Sequence, residues 1–147
     1  MVAHTDLSGF GIHEAQLSLK YYAEIHEVGP MVAELIPHGI LIFFGETAPE
    51  ELREVALVHN RTQLLSDLEV DDFLKISPPG GDQQIRWYRL TAVGAVANAN
   101  LAELGHLVVH FDGASIANLP GTISVEPSLV ELPPLGTTFE LFGREKK

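Results

Sequence analysis

Seven histidines and not one cysteine define the side-chain chemistry open to this chain of 147 residues. Without a thiol there is no cysteine nucleophile, no thiolate metal site and no disulfide framework. Imidazole remains. Its unperturbed pKa of about 6.5 leaves it mostly neutral near pH 7, so a ring nitrogen can attack and later leave.

His59 is the best placed of the seven. It ends the apolar run Val55-Ala56-Leu57-Val58 and precedes the polar Asn60-Arg61-Thr62-Gln63. A side chain there leaves the core at a strand end, held on one side and open on the other. Arg61 presents a guanidinium fork and Thr62 a hydroxyl to any anionic group bound at the ring. The plain alternative is a histidine that closes a strand and hydrogen-bonds nearby backbone, and the residues alone favour it.

The other histidines have weaker settings. His4 and His13 lie in an N-terminal stretch with nothing evident to position them. His26 falls on the polar side of an alternating strand, and His38 sits in a turn between Pro37 and Gly39. His106 follows Gly105 at a strand start, while His110 alternates with Val109 and Phe111. His106 and His110 have the spacing of a helical metal pair, but on a strand they stand about 13 Å apart, too far to share one zinc. Asp112 before Gly113 reads as a turn former. Pro79-Gly80-Gly81 lacks the Lys-Ser or Lys-Thr of a nucleotide-binding loop.

Composition narrows the class further. The length suits one domain with a real core. A net charge of -11 and a pI near 4.9 disfavour nucleic acid and anionic membrane, and would steer a basic protein partner inward. The longest apolar run, Ile40-Leu41-Ile42-Phe43-Phe44, fits a buried strand and is far short of a membrane span. The opening MVAHTDLSGFG has neither the basic start nor the apolar centre of a secretory signal, so the expected compartment is the cytoplasm.

The elements that must hold these residues repeat. Val28-Gly29 leads through Gly39 into the run ending at Phe44-Gly45; Val93-Gly94 leads through Gly105 into His106-Leu107-Val108-Val109-His110-Phe111. Val58-His59 stands before Phe73-Leu74-Lys75-Ile76 much as Val125-Glu126 stands before Phe139-Glu140-Leu141-Phe142. The offset stays between 65 and 68 residues. Two copies are too few for a solenoid, which leaves a pseudo-twofold barrel. Leu17, Leu19, Tyr21, Ala23 and Ile25 alternate with polar residues as a half-buried strand. Asn98 or Asn100 is expected to cap a helix ending at Gly105, and Thr47-Ala48-Pro49-Glu50 reads as a capping box. Pro78-Pro79-Gly80-Gly81-Asp82 reads as a loop, with Pro133-Pro134-Leu135-Gly136 as its counterpart. The expected fold is mostly β, a small closed or nearly closed barrel of two duplicated halves with short helices. Residues 1–15 form a loose arm in this reading, 16–143 the barrel domain and 144–147 a tail.

The stretch Tyr88 to Thr122 carries a family resemblance. Thr91-Ala92-Val93-Gly94, Asn100-Leu101, Glu103-Leu104-Gly105-His106, Phe111-Asp112-Gly113 and Pro120-Gly121-Thr122 stand in an order that resembles the glucitol/sorbitol-specific IIA components of the bacterial sugar phosphotransferase system. The resemblance implies a barrel of two related halves and a cytoplasmic phosphotransferase component with a phosphohistidine intermediate. In that family the acceptor histidine follows a short apolar strand after an acidic, Ala-Pro-containing helix. Ala48-Pro49-Glu50-Glu51-Leu52 through Val58-His59 matches this arrangement and selects His59. Some members place a second histidine where this chain has Arg61, which would substitute as a donor to phosphate. His106 either assists at the phosphoryl group or satisfies a backbone carbonyl beside Gly105.

By the same resemblance the phosphoryl donor is the histidine of the carrier HPr. The acceptor is a cysteine of the IIB component of the IIB/IIC sugar permease. No metal, organic cofactor or direct sugar binding is implied. The rival reading is a barrel that has lost transfer and serves as a binding or regulatory module.

Overall fold

The computed structural model describes residues 4–60, 63–80, 84–129 and 131–145. Strands β1 (Leu17–Val28), β2 (Ile40–Gly45), β3 (Leu57–His59) and β4 (Phe73–Ser77) come from the first half of the chain. The second half supplies β5 (Arg86–Val93), β6 (Leu107–His110), β7 (Thr122–Val125) and β8 (Thr138–Arg144). They close in the order β1-β3-β2-β6-β7-β5-β4-β8, with β8 returning to β1. Closure leaves no free edge and turns alternate side chains into one core, where Tyr21, Ile25, Phe43, Leu57, Leu90 and Phe139 are buried. The helices are short: α1 (Val32–Leu35), α2 (Glu50–Arg53) and α3 (Ala97–Leu104).

The duplication is visible in the pairing. Exchanging β1–β4 for β5–β8 returns the same cycle read in reverse. Each half contains one parallel pair, β2 with β3 and β6 with β7, and antiparallel seams join the halves at β2/β6, β4/β8, β1/β8 and β4/β5. Val28 pairs with Leu57 as Val93 pairs with Ile123. The expected match of Phe73 with Phe139 is corrected: Leu74 pairs with Tyr88 as Phe139 pairs with Ala23, and Leu74 and Phe139 share the barrel core, whereas Phe73 packs in a separate cluster with Trp87 and Phe142. Beyond the strands, Gly29 N donates to Ala56 O (3.0 Å) and Gly94 N to Thr122 O (2.8 Å).

Several local expectations are corrected. The strand-end histidine and Glu126 are not twins. His59 pairs with Ile25 and Val125 with Leu90, so His59 corresponds to Val125. Glu126 corresponds to Asn60: each donates its N–H to the first strand of its half (Asn60 N to Glu24 O, Glu126 N to Arg89 O) and accepts the return bond on its side chain (2.7 and 3.2 Å). Similarly, the counterpart of Pro133–Gly136 is the turn before β4. Asp71 and Gly136 both have left-handed backbones (φ 76° and 85°), and both donate their N–H to the matching strand residues Leu90 and Ile25, which return a bond to the next carbonyl, that of Asp72 or Thr137. Gly81 and Asp82 lie outside the described residues.

In β1 the register shifts between Leu19 and Tyr21, so the alternation breaks. Leu19 faces out, and Lys20 is buried with its ammonium 2.7 Å from both Asp72 Oδ2 and Asp67 O. Burial pushes the Asp72 carboxyl up, while the bond from Lys20 opposes that rise. Neither expected side-chain cap forms: the N-cap positions are Pro49 for α2 and Val96 for α3, and neither makes a side-chain cap bond. Asn98 instead clamps the backbone of Leu68, accepting from its N–H at 2.6 Å and donating to its O at 3.2 Å. The expected loose arm is packed from His4 onward. Leu7 and Ile12 are buried against Phe73, Trp87 and Phe142, and Trp87 N donates to His4 O (2.7 Å). Arg144 belongs to β8 rather than the tail.

Gly29 and Gly94 permit the closest backbone approaches in the two halves. A Cβ at Gly29 would overlap the Arg53 and Glu54 carbonyls; one at Gly94 would overlap those of Leu119 and Pro120. Gly29→Ala and Gly94→Ala should each lower stability by about 1–3 kcal/mol or more, read by urea denaturation. A null effect at either would remove the claim that the two approaches are equivalent constraints.

Candidate functional site

β3 is three residues long and lies between β1 and β2, with His59 opposite Ile25 on one side and Gly45 on the other. Period two turns Leu57 and His59 to the same face, which is the barrel interior. His59 therefore has no exposed surface, whereas the other six histidines are half-buried or exposed. The expectation of a ring open on one side is corrected: the strand end sits in the barrel wall, flanked by longer strands.

Inside the wall the imidazole is fixed by three neighbours. Its Nε2 lies 2.7 Å from Gly105 O, and since a carbonyl only accepts, Nε2 carries the hydrogen. The rings of Tyr21 and Phe139 meet it edge to face, with centroids 6.0 and 5.2 Å away. Gly105 reaches this position because α3 ends there in a left-handed residue (φ 64°) whose N–H closes on Leu101 O at 3.0 Å. The expected stop of α3 at Gly105 is thus also the device that aims a carbonyl at His59.

His106, the next residue, leans on the other side of the seam. Its Nδ1 donates to Phe43 O at 3.1 Å, and its ring tilts over Phe44 with centroids 4.5 Å apart. The carbonyl it meets is that of Phe43 on β2. Arg61 and Thr62 lie outside the described residues. Asn60, directly after His59, is anchored to Glu24, and Leu65 N donates to Lys20 O (2.8 Å), so the flanks of that segment are tied to β1.

Carboxylates gather at the rim. Glu24 and Glu46 each stand one residue beyond a strand partner of His59, and both approach the His26 ring (3.6 and 3.8 Å). Arg53 ties the turn behind them, donating to the carbonyls of Ala48 and Glu46 and to Glu27 Oε1. Asp112 forms a turn, as its sequence setting implies. Burial would raise its carboxyl, but bonds from Ala114 N–H and the Asn118 amide hold it below the usual range. Among the described residues no group of three or more His, Asp or Glu is placed to hold a metal, and no helix is long and apolar enough to cross a membrane.

Sequence reading did not find Tyr21, Phe139 or the Gly105 carbonyl as parts of this site. Gly105 had a local signal as a helix stop, but its partner lies 46 residues away. Only closure of the barrel joins them.

Comparison with known proteins places this geometry in a lineage. Residues 20–140 match the family model of the PTS system glucitol/sorbitol-specific IIA component. The chain is 33% identical over 111 residues to the glucitol/sorbitol-specific EIIA components of Shigella flexneri and Escherichia coli K12, which covers 74% of this chain and 83% of each relative. A crystal structure of a PTS system IIA component from Enterococcus faecalis V583 shares the fold, with a TM-score of 0.64 and 25% identity over 80% of this chain and 96% of that one. With strands β2 to β7, the β2/β6 seam and the strand-end histidine falling inside the matched region, the chain belongs to the glucitol/sorbitol-specific IIA family of the phosphotransferase system.

Proposed function

We propose that this protein is the cytoplasmic phosphocarrier of a sorbitol/glucitol permease, accepting a phosphoryl group from phospho-HPr on His59 and passing it to a cysteine of the IIB component. One observation carries the assignment of the residue. His59 alone of the seven histidines is fixed inside the barrel frame, with one ring nitrogen occupied by a backbone acceptor and the ring clamped between aromatic edges. A nucleophile held in one orientation loses little freedom on reaching its transition state. Arg61 and Thr62, next in sequence, supply donors for the charge on the phosphoryl oxygens, and His106 assists from across the seam.

The approach of HPr is supported by the rim. Glu24 and Glu46 flank the strand end; exposed Leu104 precedes Gly105, and exposed Leu135 precedes Gly136, whose N–H donates to the carbonyl of Ile25, the strand partner of His59. Apolar contact would supply affinity, while the carboxylates steer a basic partner. Complete burial of the ring is the observation that favours the rival, a barrel retained only for binding. On the carrier reading, the donor reaches the ring only after whatever covers it is displaced.

Exposure to phosphorylated HPr followed by intact mass separates the two readings. The carrier takes up one phosphoryl group per chain, His59→Gln takes up none, and His106→Gln takes it up more slowly. Normal uptake by His59→Gln would move the acceptor elsewhere. Stability should follow chemistry of a different kind. His59→Ala opens a cavity and strands the Gly105 carbonyl, costing about 2–4 kcal/mol in denaturant titration. His59→Gln retains a donor of similar size and should cost less than about 1.5 kcal/mol. Association with HPr should weaken as salt rises, and an affinity flat across ionic strength would refute the steering role of the rim.

A further inference from the structure

We infer that the phosphoryl group is carried on Nδ1 of His59, with the Gly105 carbonyl as the positioning group that makes this nitrogen, and not Nε2, the nucleophile. This rests on the proposed carrier role and adds the atom at which it acts. The argument is one of valence. Nε2 stands 2.7 Å from Gly105 O, a partner with no hydrogen to give, so Nε2–H is the donor. In neutral imidazole the other nitrogen then holds the in-plane lone pair. The acceptor carbonyl belongs to a helix-terminal glycine at φ 64° whose N–H is itself bonded, so it does not rotate freely away.

The transfer balances on this arrangement. The lone pair of Nδ1 forms the new N–P bond as the donor's N–P bond breaks, and that electron pair returns to the donor imidazole. The hydrogen on Nε2 stays in place, so the phosphorylated ring gains positive charge. The carbonyl facing Nε2–H stabilises that charge through a charge-assisted hydrogen bond. A cationic ring is also the better leaving group, which suits a carrier that must release the phosphoryl group again. No base is needed, because no proton leaves the ring.

His106 provides an internal contrast. It donates through Nδ1 to Phe43 O, so the two rings lie in opposite tautomers when neutral.

The test is nitrogen and phosphorus NMR of the full chain labelled with 15N-histidine, before and after exposure to phosphorylated HPr. His59→Gln and His106→Gln would serve to assign the two rings. Before transfer, His59 should show a protonated Nε2 and an unprotonated Nδ1, with His106 reversed. After transfer, the 15N–31P coupling should appear on Nδ1 of His59, with Nε2 still protonated. Coupling on Nε2 would overturn this inference while leaving His59 the acceptor. Absence of any phosphoryl signal on His59 would overturn the carrier role as well. A protonated Nδ1 in the resting ring would remove the argument from the Gly105 carbonyl by itself.

Discussion

The bond from His59 Nε2 to the carbonyl of Gly105 is the contact on which the functional reading of this barrel depends. It is buried, it joins the first half of the chain to the second, and it decides how the imidazole faces its surroundings. A buried hydrogen bond contributes only about 0.5–1.5 kcal/mol net, yet leaving the carbonyl without its donor costs about 1–3 kcal/mol. The asymmetry explains how so modest a bond can hold a ring in one tautomer. Tyr21 and Phe139 complete the restraint by closing on the ring from the sides.

The duplicated frame makes this contact possible without repeating it. Gly39 and Gly105 occupy matching places, each left-handed (φ 70° and 64°) and each ahead of a strand of the central seam. The Gly39 carbonyl accepts from the backbone of Phe111, whereas the Gly105 carbonyl accepts from a side chain. The twin of His59 is Val125, an apolar core residue. The backbone is thus symmetric and the chemistry is not. One half keeps an ordinary barrel strand at the position where the other presents an imidazole.

Much of the frame was legible in the sequence, because glycines and apolar runs recur at a near-constant offset and each has a local cause. Val28-Gly29 and Val93-Gly94 mark the two tight approaches, and Gly105 marks the end of α3. What was not legible depended on register and on contacts between distant segments. The shift between Leu19 and Tyr21 turns Lys20 inward, against a strict alternation that looked regular over ten residues. Val-His and Val-Glu resemble each other as dipeptides, but strand pairing sets them one residue apart. The packing of Leu7 and Ile12 was hidden because their spacing follows no period; their partners Trp87 and Phe142 are far along the chain. Composition likewise gave no sign that a strand-end histidine would be fully enclosed.

That enclosure gives the account its sharpest exposure to test. A histidine sealed in a barrel wall is either a carrier that is uncovered when its donor docks or a structural residue. The direct measurement is peptide mapping of the wild-type protein after incubation with phosphorylated HPr, under alkaline conditions that preserve phosphohistidine. The account predicts the phosphoryl group on the peptide containing His59 and on no other histidine. A phosphoryl group on the peptide containing His106, or on none, would contradict it.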